Sequence, residues 1–132
     1  MPLLISGLYL SLSALLMVIL TYRVIRLRRI HKIGIGSEGN SALILAQRVH
    51  ANFLENAPIT MLLLVVAEGN GISAAVLHLF GTLWIVSRLM HAIGLTQGRG
   101  GYHFGRFWGV LMTWAVIIGL VATNLFAFVT HL

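Results

Sequence analysis

The sequence predicts an all-α membrane protein, a single bundle of four transmembrane helices in 132 residues. Three observations predict it. Only 9% of the residues are charged and 58% are hydrophobic, whereas a soluble chain carries roughly 25% charged residues. So little polar surface cannot coat a water-soluble body. The apolar residues fall into four long runs, each of about 20 residues or more, enough to cross the hydrocarbon of a bilayer. Basic residues gather at the ends of alternate runs, the pattern that orients helices in a membrane.

The first span is expected over 3–22. Met1 to Leu20 carries no charge and the charges follow it, the reverse of the order in a cleaved signal peptide. The span therefore reads as a retained anchor with its N-terminus outside. Tyr22 is placed as an interfacial aromatic, and Arg23 ends the span. With Arg26, Arg28, Arg29 and Lys32 it makes up five of the nine basic residues of the chain. The loop that follows contains Gly34-Ile35-Gly36-Ser37-Glu38-Gly39. These letters match a dinucleotide-binding fingerprint, but that fingerprint needs a preceding strand and a following helix in a βαβ unit. Between two membrane helices the segment reads as a flexible loop.

The second span is expected over 41–67. Its first half is polar, with Gln47, Arg48, His50, Asn52, Glu55 and Asn56. Pro58 separates it from an apolar second half, and a proline there is able to kink a helix. Gly69-Asn70-Gly71 makes a short turn. The third span, 72–93, carries Arg88 and His91 near its end. A glycine-rich loop from Gly94 to Gly105 holds Arg99, Tyr102 and His103. Arg106 and Trp108 stand at the start of the fourth span, 107–129. No internal repeat is present.

The loops after spans one and three hold the basic residues, while the N-terminus, the Gly69–Gly71 turn and the C-terminal tail hold none. Positive-inside logic places both basic loops in the cytoplasm and both termini outside it. The net charge of +6 is accounted for by this orienting cluster and by anionic lipid headgroups. Nucleic acid is therefore not expected as a partner. The chain has no cysteine, which excludes disulfides, thiolate metal sites and cysteine catalysis. The histidines lack zinc-site spacing, and His50, His78 and His131 read as packed or surface residues, so no metal is expected.

Arg48, Asn52 and Glu55 are spaced i, i+4 and i+7 and share one helix face. An ionisable side chain facing lipid costs roughly 2.5–3.5 kcal/mol near the bilayer centre. The face is therefore expected to point into the bundle, a subunit interface or a wet cavity. Arg88 and His91, at i and i+3 on span three, fall at a similar depth, and Arg26 and Arg106 border the same layer. Guanidinium forks suit carboxylates or phosphates. Glu55 can accept from an ammonium, and Asn52 can both donate and accept. A small peptide with two carboxylates and one amine matches this set. The plainer alternative is that these polar contacts only hold helices together, each worth about 0.6–2 kcal/mol.

The run Arg48-Val49-His50-Ala51-Asn52-Phe53-Leu54-Glu55-Asn56-Ala57-Pro58 resembles the second-helix signature of the MAPEG family, the membrane-associated proteins in eicosanoid and glutathione metabolism. Arg26-Leu27-Arg28-Arg29 is similar to the basic end of the family's first helix, and Arg88-Leu89-Met90-His91 to its third-helix motif. The resemblance implies a four-helix subunit, assembly as a homotrimer, and glutathione as co-substrate between subunits on the cytoplasmic side. It implies that Arg48, Asn52 and Glu55 hold the peptide, with Arg26 and His91 bordering it; Arg88 of the same layer is added as a glutathione-binding candidate, and Tyr102 as the loop's substitute for a family tyrosine. A hydrophobic electrophile or hydroperoxide would arrive from the lipid. Arg106 is the candidate for stabilising the glutathione thiolate. Leu95 stands where several family enzymes have a tyrosine, a departure that bears on catalysis rather than on fold.

The reading that follows is a glutathione-dependent transferase or peroxidase in a bacterial inner membrane. Its rivals are a small proton-coupled transporter using Glu55, and a non-catalytic membrane scaffold.

Overall fold

A computed structural model describes residues 2–130, and among them the chain is helical apart from its connections. The four helices are α1 Leu4–His31, α2 Ser41–Gly69, α3 Ala74–Gln97 and α4 Phe104–Thr130. All four are long and apolar enough to cross a membrane. Even α3, with 24 residues, extends about 36 Å at 1.5 Å per residue. His131 lies outside the described residues.

The helices outrun the apolar stretches that announce them. Arg23, Arg26, Arg28 and Arg29, expected in or at the edge of a loop, lie on α1, which ends only where Lys32 takes a left-handed conformation at φ 55°. Charge ends residence in hydrocarbon but not the helix, because arginine is a good helix former and cations suit a helix C-terminus. The third connection likewise shrinks to 98–103, since Gly94 is still helical and Phe104 already is. Pro58 lies inside α2 as a single uninterrupted element.

Capping is partly local and partly not. Asn40 caps α2 through its side chain, which accepts from Leu43 N at 2.9 Å. No side chain at Leu3 caps α1. Glu68, at the far end of α2, does so instead, accepting from Ile5 N at 2.9 Å and Ser6 N at 2.6 Å. A carboxylate at a helix N-terminus meets both unpaired N–H groups and the positive end of the dipole.

Helix α3 packs on α4 through glycines. A Cβ built on Gly94 would lie 2.1 Å from Arg106 N, and one on Gly109 would lie 2.7 Å from His91 N. The two backbones are thus in direct contact where His91 and Arg106 leave their helices. Such small-residue contacts drive close helix association in lipid. Tyr9 on α1 seals the opposite end of α3, its hydroxyl 2.9 Å from both His78 Nδ1 and Thr82 Oγ1. Trp84 is wholly buried between helices and donates to Ser13 Oγ at 2.9 Å. Helix α1 meets α2 and α3 but not α4 among the described residues. The outer faces carry large apolar side chains such as Ile118, Phe126 and Phe128, as lipid contact requires.

The Gly34–Gly39 segment is a connection between two helices, with no strand before it. Arg28 pins it by donating to Gly36 O at 3.0 Å and to Gly34 O at 3.3 Å. Its carbonyls are turned to a cation, and the loop is a clasp on the end of α1.

Candidate functional site

At the end of the bundle opposite the Gly69–Gly71 turn lies a cavity of about 700 Å³, bounded by α1, α2, α3 and the start of α4. Arg23, Arg48, Arg99 and Arg106 line it together with Asn52 and His91, and no carboxylate does so among the described residues. They arrive from all four helices and the connection between α3 and α4. Arg48 and Asn52 stand one turn apart on α2. His91 and Arg106 are brought together by the glycine contact between α3 and α4. Arg23 is steadied by donating to Thr96 Oγ1 at 2.8 Å. Arg99 sits in the tight connection at φ 49°.

The cations differ in how far their own hydrogen bonding is met. Arg106 donates through one terminal nitrogen to Gly101 O at 3.0 Å and to Gly100 O, and its other N–H groups meet no acceptor among the described residues. Arg48 is exposed. Arg88 is buried behind the cavity, donating to Asn52 Oδ1 at 2.6 Å and Thr113 Oγ1 at 3.1 Å. Its guanidinium carbon is 5.6 Å from the Trp84 ring centroid and 6.0 Å from that of Phe53. Its Nε is buried without a partner.

Of the residues singled out in the sequence, Arg48, Asn52, His91 and Arg106 meet around one cavity. Arg88 touches Asn52 from behind. Arg26 and Glu55 lie exposed on the outside of α1 and α2, away from the cavity wall. Tyr102 is exposed on the far side of Arg106, with Phe107, Val110, Leu111 and Trp114 around a recess of about 350 Å³. Arg106 therefore borders both a cationic cavity and an aromatic, apolar recess. Leu95 lines the cavity, so this position of the wall offers an apolar side chain and no hydroxyl.

Sequence reasoning missed Arg23 and Arg99 as lining residues. Arg23 served only to mark the end of a span, although it lies one turn nearer the bilayer than Arg26. Arg99 sat in a glycine-rich loop whose path nothing local specifies. His50, by contrast, packs on α1, its Nε2 3.0 Å from Thr21 Oγ1.

With four spans and this polar layer in view, the comparison with known proteins is decisive for family. A sequence model of the MAPEG family matches residues 6–126. The chain belongs to the MAPEG family. This MAPEG chain is 34% identical over 125 residues to the inner membrane protein YecN of Escherichia coli K12, covering 92% of this chain and 90% of that one. The protein of the same name in E. coli O6:H1 matches at the same identity and coverage. No solved structure matches.

Proposed function

We propose that this MAPEG-family protein is a glutathione-dependent transferase or peroxidase acting on lipophilic electrophiles or hydroperoxides. The observation that carries the reading is a cavity lined by four arginines and no carboxylate. Four cations gathered around one cavity need anions, and planar guanidinium forks suit carboxylates. Glutathione brings two carboxylates, and it brings the thiol that a chain without cysteine lacks.

A cysteine thiol has a pKa near 8.5 (roughly), and a neighbouring guanidinium favours the thiolate by charge and hydrogen bonding. Arg106 is the candidate for this role, a reading supported by its position between the cavity and the apolar recess of Phe107 and Trp114. Bound there, glutathione supplies the nucleophile: its sulfur forms a bond to an electrophilic carbon as the leaving group departs, or to one peroxide oxygen as the other leaves as an alcohol. Arg48 and Arg23 hold the peptide's carboxylates. The recess on α4 opens to lipid, the route by which a lipophilic partner arrives.

Arg26 and Glu55 lie on the protomer's outer faces, where a neighbouring subunit of a homotrimer meets them and closes the site. In this assembly Glu55 is the acceptor for the peptide's ammonium. The basic ends of α1 and α3 face the cytoplasm and both termini face away from it. The inner membrane named for the E. coli relative is the proposed location.

Calorimetry of glutathione binding to the solubilised protein tests the proposal. The wild type is expected to bind saturably. Arg48→Ala and Glu55→Gln are expected to weaken binding roughly tenfold or more with the oligomer intact. Absence of heat and of competition at millimolar ligand overturns the glutathione reading. Loss of the oligomer in both variants would instead favour the scaffold.

A further inference from the structure

Arg88 is one of the two largest fully buried side chains of the protein, and it stands behind the cavity wall rather than in it. A guanidinium has N–H donors and no acceptor. Every polar atom within hydrogen-bond distance of it must therefore accept. One of its terminal nitrogens, Nη2, lies 2.6 Å from Asn52 Oδ1 and 3.3 Å from His91 Nδ1. The orientation of an amide or the tautomer of an imidazole is ordinarily assigned from its partners. Here a donor-only partner assigns both. The carbonyl oxygen of Asn52 turns inward to Arg88, which leaves its Nδ2 N–H groups for the cavity. His91 Nδ1 accepts, so the ring proton sits on Nε2. Both residues line the cavity.

We propose that Arg88 is a positioning residue that fixes Asn52 and His91 as hydrogen-bond donors toward the cavity, so that this wall recognises only acceptor groups of a ligand: a carboxylate, a carbonyl or a thiolate. An ammonium is excluded from it. This deepens the reading of the cavity as a glutathione site and rests on that reading for the identity of the ligand. Asn52, which by its chemistry alone can donate or accept, donates. The peptide's ammonium must lie away from Asn52, on the side of the exposed Glu55.

The surroundings of Arg88 are built to hold this arrangement. Its Nη1 donates to Thr113 Oγ1 at 3.1 Å, and the Thr113 hydroxyl donates onward to Gly109 O at 2.8 Å, which frees its lone pair for Arg88. Trp84 and Phe53 pack beside the guanidinium. Its Nε is buried without a partner, so its terminal nitrogens carry all of its hydrogen bonds. A side chain kept only for packing would be better replaced by an apolar one of similar volume.

Two measurements test the proposal, and the first is independent of glutathione. Nitrogen NMR of isotope-labelled histidine in the full chain, with the His91 signal assigned by its loss in His91→Gln, is expected to show the Nε2–H tautomer at neutral pH without ligand. A ring protonated on Nδ1, or on both nitrogens, overturns the proposal. The second is glutathione calorimetry on Asn52→Asp. This change keeps shape and an acceptor oxygen toward Arg88 but replaces the cavity-facing N–H groups with a carboxylate oxygen. Roughly tenfold or greater weakening with an unreduced melting temperature is expected. Unchanged or tighter binding overturns the proposal, because Asn52 would then accept from the ligand. If the wild type binds no glutathione, the proposed function fails by itself, and the tautomer of His91 still decides the donor wall.

Discussion

Glu68, at the end of the bundle with the Gly69–Gly71 turn, is the only buried carboxylate among the described residues, and it is fully matched. It accepts from Ile5 N, Ser6 N and the Ser6 hydroxyl. At the other end, four arginines line a cavity that offers them no carboxylate. The first arrangement is closed: removing any part leaves a buried group unpaired, and nothing is left over to bind. The second is open, because its donors exceed the acceptors the chain provides. The contrast separates polar groups whose partners the fold supplies from polar groups it leaves without a counter-charge, a distinction that membrane burial alone does not make.

Substitutions at the two ends are expected to affect different quantities. The largest effect is expected where fold and site share a contact. Gly94→Ala drives a Cβ into Arg106 N. It should cost about 3 kcal/mol, the upper end for overpacking, and should weaken glutathione binding as well, because α4 must move with Arg106. Thermal unfolding in detergent beside calorimetry checks both. A normal melting temperature would show that the glycine contact is not what joins these helices.

Glu68→Gln comes next. It retains one acceptor oxygen but loses the charge and the second, and should cost about 2 kcal/mol of stability while leaving glutathione affinity unchanged. If affinity falls in step with stability, the two ends are not independent. The smallest effect is expected from Thr96→Val, which frees Arg23 by removing its acceptor at 2.8 Å. Stability should change by less than about 1 kcal/mol and affinity by a few-fold at most. A large loss of affinity would make Arg23 a principal ligand contact that Thr96 aims.

Much of the cavity was legible before the fold was known. Arg48 and Asn52 share a helix face by spacing, and His91 lies at their depth because α2 and α3 run in opposite directions. Glu55 shares the same nominal face by counting, yet lies exposed on the outside of α2 while Asn52 lines the cavity. A face three residues wide spans enough arc for one end to turn into the bundle and the other to turn out. Arg26 and Arg23 show the same limit. They lie one turn apart on α1, and only the tilt and rotation of that helix decide which reaches Thr96. Arg88 and Asn52 were each noticed alone. Their bond joins residues 36 positions apart, and no local pattern encodes it.

By itself the sequence determined that the chain spans a membrane four times, which ends of the helices carry the basic residues, and which family it belongs to. These follow from runs of apolar residues, clusters of charge and a contiguous motif, all properties of neighbouring positions. Only the tertiary structure decided which arginines share the cavity, that Glu68 closes α1 from 62 residues away, and which atoms of Asn52 and His91 meet Arg88. Those depend on how far each helix is rotated and how closely two backbones approach. Both are set by long-range packing against partners such as Gly94, Gly109 and Arg88.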